Sequence, residues 1–298
     1  MRPMKICRHP VLGMTAADGI NQWLWPRLMP ELCGRYGRTL FLGAGGLLDA
    51  GNPSLDHYPR VVVFGAGARG PATLPDTAGD WDIRFVRGPE TARAMGLPSE
   101  RWLCDPAVLA PKLHCARVPR QGPRRIALAL GGGLTAPVAR ALAKDADLVL
   151  LRPDQSPEAW IDRLLDCDAA LCADQTVAAV ADAYGIPWRQ LRLHATEARG
   201  PGDTFEWLDW TKGMALVSHE IDLPDLSMRA GPLGALRAAA ALRRATGLLR
   251  KAKRSDLWSL SDRTLLRLRQ QALTEEIADL RLRETAPRRQ LRVVRAMP

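Results

Sequence analysis

The stretch 125–151 constrains this chain most, because it reads RIALAL, GGGL, TAPVARALAKDA and DLVLL in direct succession. A short apolar run stopped by glycines predicts a buried strand and a tight turn. The alanine-rich segment that follows predicts a helix over 135–146, with Thr135 as its cap. A second apolar run then closes a strand–helix–strand unit. A crossover of that length leaves the two strands parallel. The rhythm continues downstream. Ser156-Pro157 opens a helix over 156–167, AALCA (169–173) is a strand, 174–185 is a helix stopped by Gly185, and IPWRQLRL is a further strand.

The same rhythm runs upstream. LFLGAGGLL (40–48), VVVFGAGARG (61–70) and DIRFVRG (82–88) read as strands, and ETARAMGL (90–97) as a short helix stopped by Gly96. WLCDPAVL reads as another strand–loop unit, and 19–33 as a short helix broken by prolines. Two successive rounds of alternation predict an α/β protein of two Rossmann-like halves, with ligands at the carboxyl ends of the strands. The halves are expected at 1–118 and 119–225, with Pro201 to Asp203 as a loop. Beyond 226 the chain turns Ala/Leu/Arg-rich and reads as a helical extension over 226–298, with Ser261 capping the last helix.

Composition excludes several classes. An apolar share of 47% is that of a folded protein. No apolar run reaches the roughly 18 residues of a membrane span, and MRPMKICRHPVLGM lacks the apolar core of a signal peptide. The chain is therefore expected to be cytoplasmic. The six cysteines form no CxxC pair, and Cys104, His114 and Cys115 come nearest to a metal cluster. No metal is expected, and the thiols read as reduced. Asp225 to Pro298 holds 17 of the 42 basic residues and 7 of the 32 acidic ones, so the net charge of +10 sits entirely in the extension. A neutral body argues against nucleic acid as partner.

Several residues are candidates for chemistry. Gly65 and Gly67 begin a GxGxxG sequence after a strand, but Pro71 and Pro75 follow where a dinucleotide site needs a helix. The loop is therefore either a close backbone approach to a ligand or a turn. Gly131, Gly132 and Gly133 precede a helix and offer either an anion loop or a packed turn. Arg84 and Arg87 lie at a strand end, where arginine clamps anions or forms salt bridges. Trp207 and Trp210 flank Asp209 and are the best candidates for a ligand-facing pair among nine tryptophans.

These pieces occur in a telling order: DGINQWLWPRLMP, LFLGAGGLLDAGN, VVVFGAGARG, WDIRFVRGPETARAMGLPSERWLCDPAVL, VADAYGIPW and FEWLDW. In that order the chain resembles the polysaccharide pyruvyltransferases, above all the succinoglycan- and xanthan-type subgroup of exopolysaccharide synthesis. The resemblance implies a GT-B-like fold, two Rossmann-like domains facing a cleft. It implies transfer of pyruvate as a ketal from phosphoenolpyruvate, a donor substrate and not a cofactor, to a sugar. By the same resemblance Arg87 and Thr91 match the R-x-x-x-S/T element, with Arg87 as donor clamp. Asp18 and Asn21 match an acceptor-side turn, and Gly43, Gly65, Gly67, Gln175, Trp207 and Asp209 join them as binding candidates.

The chain departs from the family at its E-x-x-H-G element, where Ala173, Thr176 and Val177 stand at the Glu, His and Gly positions. Threonine is no general acid near neutral pH. Either another group such as Asp174 supplies the proton, or the chain keeps the fold and binds glycan or a partner enzyme without transfer. A GT-B nucleotide-sugar glycosyltransferase is the third reading. A lipid-linked oligosaccharide is the implied acceptor, and the basic extension reads either as a surface for an anionic membrane or as a helix packed on the body.

Overall fold

The computed structural model describes residues 3–8, 15–34, 36–118, 121–131, 134–152, 155–193, 202–226 and 232–286. It is an α/β protein with two wholly parallel sheets. The first sheet runs β1 (Met4–Ile6), β2 (Thr39–Leu42), β3 (Arg60–Phe64) and β4 (Asp80–Phe85), in chain order. Helix α1 (Ala16–Leu28) fills the first crossover. Thr15 and Asp18 form a reciprocal capping box at its start, so the helix begins three residues before the expected one. Helix α2 (Pro89–Ala94) follows β4 and ends before Gly96, whose φ of +65° suits glycine.

The second sheet has the order β6-β5-β7-β8-β9, built from β5 (Ile126–Ala129), β6 (Leu148–Leu151), β7 (Ala169–Cys172), β8 (Trp188–Arg192) and β9 (Glu220–Asp222). This is the doubly wound 2-1-3-4-5 arrangement, whose strand order reverses between β5 and β7. Helices α3 (Ala136–Leu142), α4 (Pro157–Leu165) and α5 (Gln175–Ala183) make the first three crossovers. Ser156 accepts from Ala159 N–H at 3.3 Å to cap α4.

Both sheets are buried on both faces, as parallel sheets must be. Along β2 and β3, Leu40, Leu42, Val61 and Val63 face one core, while Phe41, Val62 and Phe64 face another. The second core does not stop at the first half. It continues through α1, the 3-10 turn Pro106–Lys112, α4 and α5 to Ala127, Ala170 and Trp188 of the second sheet. The two halves therefore share one apolar filling.

Thr135 stands at the N-cap of α3 but makes no capping side-chain bond, and three further segments differ from their sequence-based expectation. WLCDPAVL forms a single parallel bridge, Val86 to Trp102, and then the 3-10 turn, because Asp105 caps that turn on Ala107 N–H at 2.9 Å. Helix α6 (Gly202–Gly213) starts inside the expected loop 201–203. Ser261 does not cap the last helix; Asp262 does, and Ser261 bonds to Asp182.

The extension packs onto both halves. Helix α7 (Pro232–Lys253) buries Ala245, Leu249 and Ala252 against the second sheet's outer core. Lys253 reaches Asp145 at 2.9 Å and Asp147 at 2.6 Å. Helix α8 (Arg263–Thr285) buries Leu273, Ile277 and Leu280 in the shared core. Its Glu276 and Asp279 pair with Arg84, and Glu284 lies 2.7 Å from Arg60. Arg84 is thus a docking point for α8.

Candidate functional site

Arg87 leaves β4 pointing into the seam between the halves and is completely buried. Burial opposes its charge, but Glu206, Asp209 and Asp105 around it outweigh that and hold its pKa up. Its Nε donates to Asp209 Oδ2 at 3.1 Å and its Nη2 to the Ala68 carbonyl at 3.1 Å. Nη1 makes no hydrogen bond and lies 3.7 Å from Glu206 Oε1. A Cβ at Gly67 would collide with the guanidinium, so this loop glycine is the floor on which Arg87 lies. Gly65, at φ +98°, turns the chain into that floor.

Asp209 is equally buried and is the hub of the seam. Its carboxylate accepts from Glu90 N–H and Thr91 N–H at 2.9 Å each and from Thr91 Oγ1 at 2.7 Å. It therefore caps α2 from a different helix, α6, and places negative charge at the positive end of α2. Arg87 and Thr91, four residues apart, converge on this one carboxylate. Arg87 was expected as a donor clamp at a cleft; in the structure its charge is spent largely on Asp209.

Asp105 is the ionisable group beside Arg87, and the sequence reading passed over it. It is fully buried, and burial pushes its pKa up against the opposing pull of Arg87 and the Ala107 N–H. Oδ2 of Asp105 and Nε2 of Gln175 are buried without a hydrogen bond. Gln175 opens α5 in the second half, so Arg87 and Gln175 flank one carboxyl group across the seam. Thr176, beside Gln175, is buried, and its N–H donates to Asp174 Oδ1 at 2.9 Å. The signal for Asp105 is the Asp-Pro pair, an N-cap signature inside a stretch that reads as a strand–loop unit.

On the N-terminal side, Asn21 is a buried clasp. Its Oδ1 accepts from Ala44 N–H at 2.7 Å and from Trp25 Nε1 at 2.9 Å, and its Nδ2 donates to the Ala44 carbonyl at 2.8 Å. Gly43 lies so close that a Cβ there would strike both Asn21 and Trp25. Asp18 belongs to the capping box. Trp207 and Trp210, expected to face a ligand, are buried against Trp188, with ring centroids 5.5 and 5.0 Å from it. They are core residues, because α6 turns its aromatic face toward β8.

A recess opens where the second sheet reverses its strand order. Ala129 and Gly131 of the β5 end, Leu151 and Arg152 of the β6 end, and Asp174 and Val177 at the start of α5 line it, with Trp160 of α4 and Ala16 of α1. The first half thus supplies one wall, and two helix starts face the same space. Asp174 caps α5 through the Thr176 and Val177 N–H groups at 2.9 and 3.2 Å. Gly132 and Gly133 lie outside the described residues. Arg152 went unnoticed in the sequence because no motif marks it.

The fold and this seam define a two-sheet α/β protein with a recess at the topological switch point of its second sheet. No protein-family model matches the chain. The chain is similar to the succinoglycan biosynthesis protein ExoV of Rhizobium meliloti, at 29% identity over 209 residues, which is 70% of this chain and 64% of that protein. None of the described helices is long and apolar enough to cross a membrane.

Proposed function

We propose that this chain is a pyruvyltransferase of exopolysaccharide synthesis, with the two halves in a GT-B-like relation and phosphoenolpyruvate as donor. The observation that carries the reading is the recess between β5 and β7. It stands where doubly wound sheets hold ligands, it is walled by both halves, and it carries a cation and a carboxyl group. Similarity to a succinoglycan biosynthesis protein supports a glycan acceptor.

In this reading Arg152 and the Gly131 N–H receive the donor's phosphate or carboxylate. Asp174 gives its proton to carbon 3 of the enolpyruvyl unit, which makes carbon 2 electrophilic. One sugar hydroxyl adds to carbon 2 and returns a proton to Asp174. The second hydroxyl displaces phosphate, and its proton leaves with that phosphate. Arg87 is a positioning residue that fixes α2 and α6 through Asp209.

The test is phosphate release from phosphoenolpyruvate in the presence of a glycan acceptor. Arg152→Ala raises the donor KM by about tenfold or more, the worth of one charge-assisted contact of about 1.5–3 kcal/mol. Asp174→Asn still caps α5 and loses kcat with little change in KM. Acceptor-independent release, or full turnover in Asp174→Asn, rejects the assignment.

A second reading has its own observation. Val177 lines the recess where the resembled family has glycine, and Thr176 stands at its histidine. A narrowed recess without that histidine supports a member that binds glycan or a partner enzyme without transfer. Robust native turnover dismisses this reading; turnover gained only in Thr176→His supports it. For either reading, α7 offers an anionic membrane surface exposed Leu233 and Leu236 beside exposed Arg237, Arg243 and Arg244. Co-sedimentation with anionic but not neutral vesicles checks this.

A further inference from the structure

We propose that His114, Cys115 and Asp162 form a binding site for one divalent transition-metal ion of the zinc class. The imidazole nitrogen, thiol sulfur and carboxylate oxygen all lie within 4.8 Å of one another. His114 Nε2 is 2.7 Å from Asp162 Oδ1. Zinc bonds such ligands at about 2.0–2.3 Å, which sets tetrahedral ligand atoms roughly 3–4 Å apart. The trio is close to that spacing, and the exposed Cys115 side chain has room to close the rest. A nitrogen, a sulfur and an oxygen donor suit zinc better than calcium or magnesium, which take oxygen ligands.

A second observation points to the same place. The hydroxyl of Tyr184, at the C-cap of α5, is buried and has no hydrogen-bond partner. Cys115 and Asp162 both act on it electrostatically, which puts it beside those two ligands. A water on the metal's fourth position would satisfy that hydroxyl. Trp23 packs edge-on against the His114 ring, with centroids 6.4 Å apart, and steadies it. An open groove lined by Cys115, Asp162 and Asp166 gives an ion access. The thiolate and carboxylate together neutralise the dication, and binding releases the thiol proton.

The position matters for the fold. His114 and Cys115 follow the 3-10 turn that ends the first half, and Asp162 sits on α4 of the second. The bound ion ties the connector between the halves to the second sheet's helical layer. Cys104, the third residue of the sequence cluster, is buried beside Asp105 and Arg269 and takes no part. The simpler account is a plain His114–Asp162 ion pair with Cys115 as a bystander, and the two accounts differ at the sulfur.

The experiment titrates the reduced full chain with Co²⁺, which reports thiolate ligation through a near-ultraviolet charge-transfer band. One equivalent binds, the band appears, and Zn²⁺ displaces it. Cys115→Ser removes the band, Asp162→Asn weakens binding by at least about tenfold, and Cys33→Ser keeps both. No band in the wild-type chain, or a band that survives Cys115→Ser, overturns the site.

Discussion

Replacing Asp209 by alanine tests the seam at its hub. The carboxylate accepts four hydrogen bonds, from Arg87, Glu90, Thr91 N–H and Thr91 Oγ1. Its loss leaves a guanidinium with no solvent exposure and two N–H groups at the start of α2 without their acceptor. Breaking a buried ion pair from one side costs about 3–5 kcal/mol, and each unmet buried donor about 1–3 kcal/mol before relaxation. These overlap, so about 4–6 kcal/mol is expected, a large share of the roughly 5–15 kcal/mol that holds a typical domain folded. Urea unfolding of the single variants and of Asp209→Ala with Arg87→Met gives a double-mutant cycle. The double variant is expected to be more stable than Asp209→Ala alone, because the stranded charge goes with its partner. A cost below about 1 kcal/mol, or additivity within about 0.5 kcal/mol, refutes the reasoning that Arg87 and Asp209 form the seam's principal tie.

Gly67→Ala forces Arg87 off its floor and destabilises by about 1–3 kcal/mol, read as a lower urea midpoint; an unchanged midpoint contradicts the close approach. Asp105→Asn keeps the turn's cap but removes a buried acid whose pKa is raised in the fold. An acid with a raised folded pKa stabilises below its unfolded value and loses that contribution as pH climbs through the folded value. The variant therefore gains stability relative to wild type as pH rises from the acid range toward neutral, and a pH-independent difference in melting temperature argues against it. Asp145 behaves oppositely: hydrogen bonds from Arg250 and Lys253 depress its pKa. Its contribution holds above the unfolded value and fades as pH falls, so α7 loosens first in acid, and hydrogen exchange along 232–253 checks this.

The local sequence carried a good deal of this molecule. Glycine-stopped runs marked β2 through β5, short apolar runs marked β6 and β7, and Ser156-Pro157 and Asp174 marked the starts of α4 and α5, because strand burial and helix capping act over a few residues. The Asp105-Pro106 pair carried its signal too, but an N-cap reads like a strand end when what it starts is a short 3-10 helix and not an α-helix.

What the chain order could not reveal is which charge meets which. Arg87 finds Asp209, separated by 122 positions, only because α6 crosses back onto α2. The R-x-x-x-T spacing shows a guanidinium and a hydroxyl on one side of a turn, but not that a carboxylate of the same chain lies between them. Likewise the tryptophans of α6 look like a sugar platform in sequence and become core once β8 presents Trp188. Side-chain chemistry and short-range periodicity are properties of the string. Burial, and the partner that neutralises a buried charge, belong to the packed molecule, since both depend on contacts between residues far apart along it.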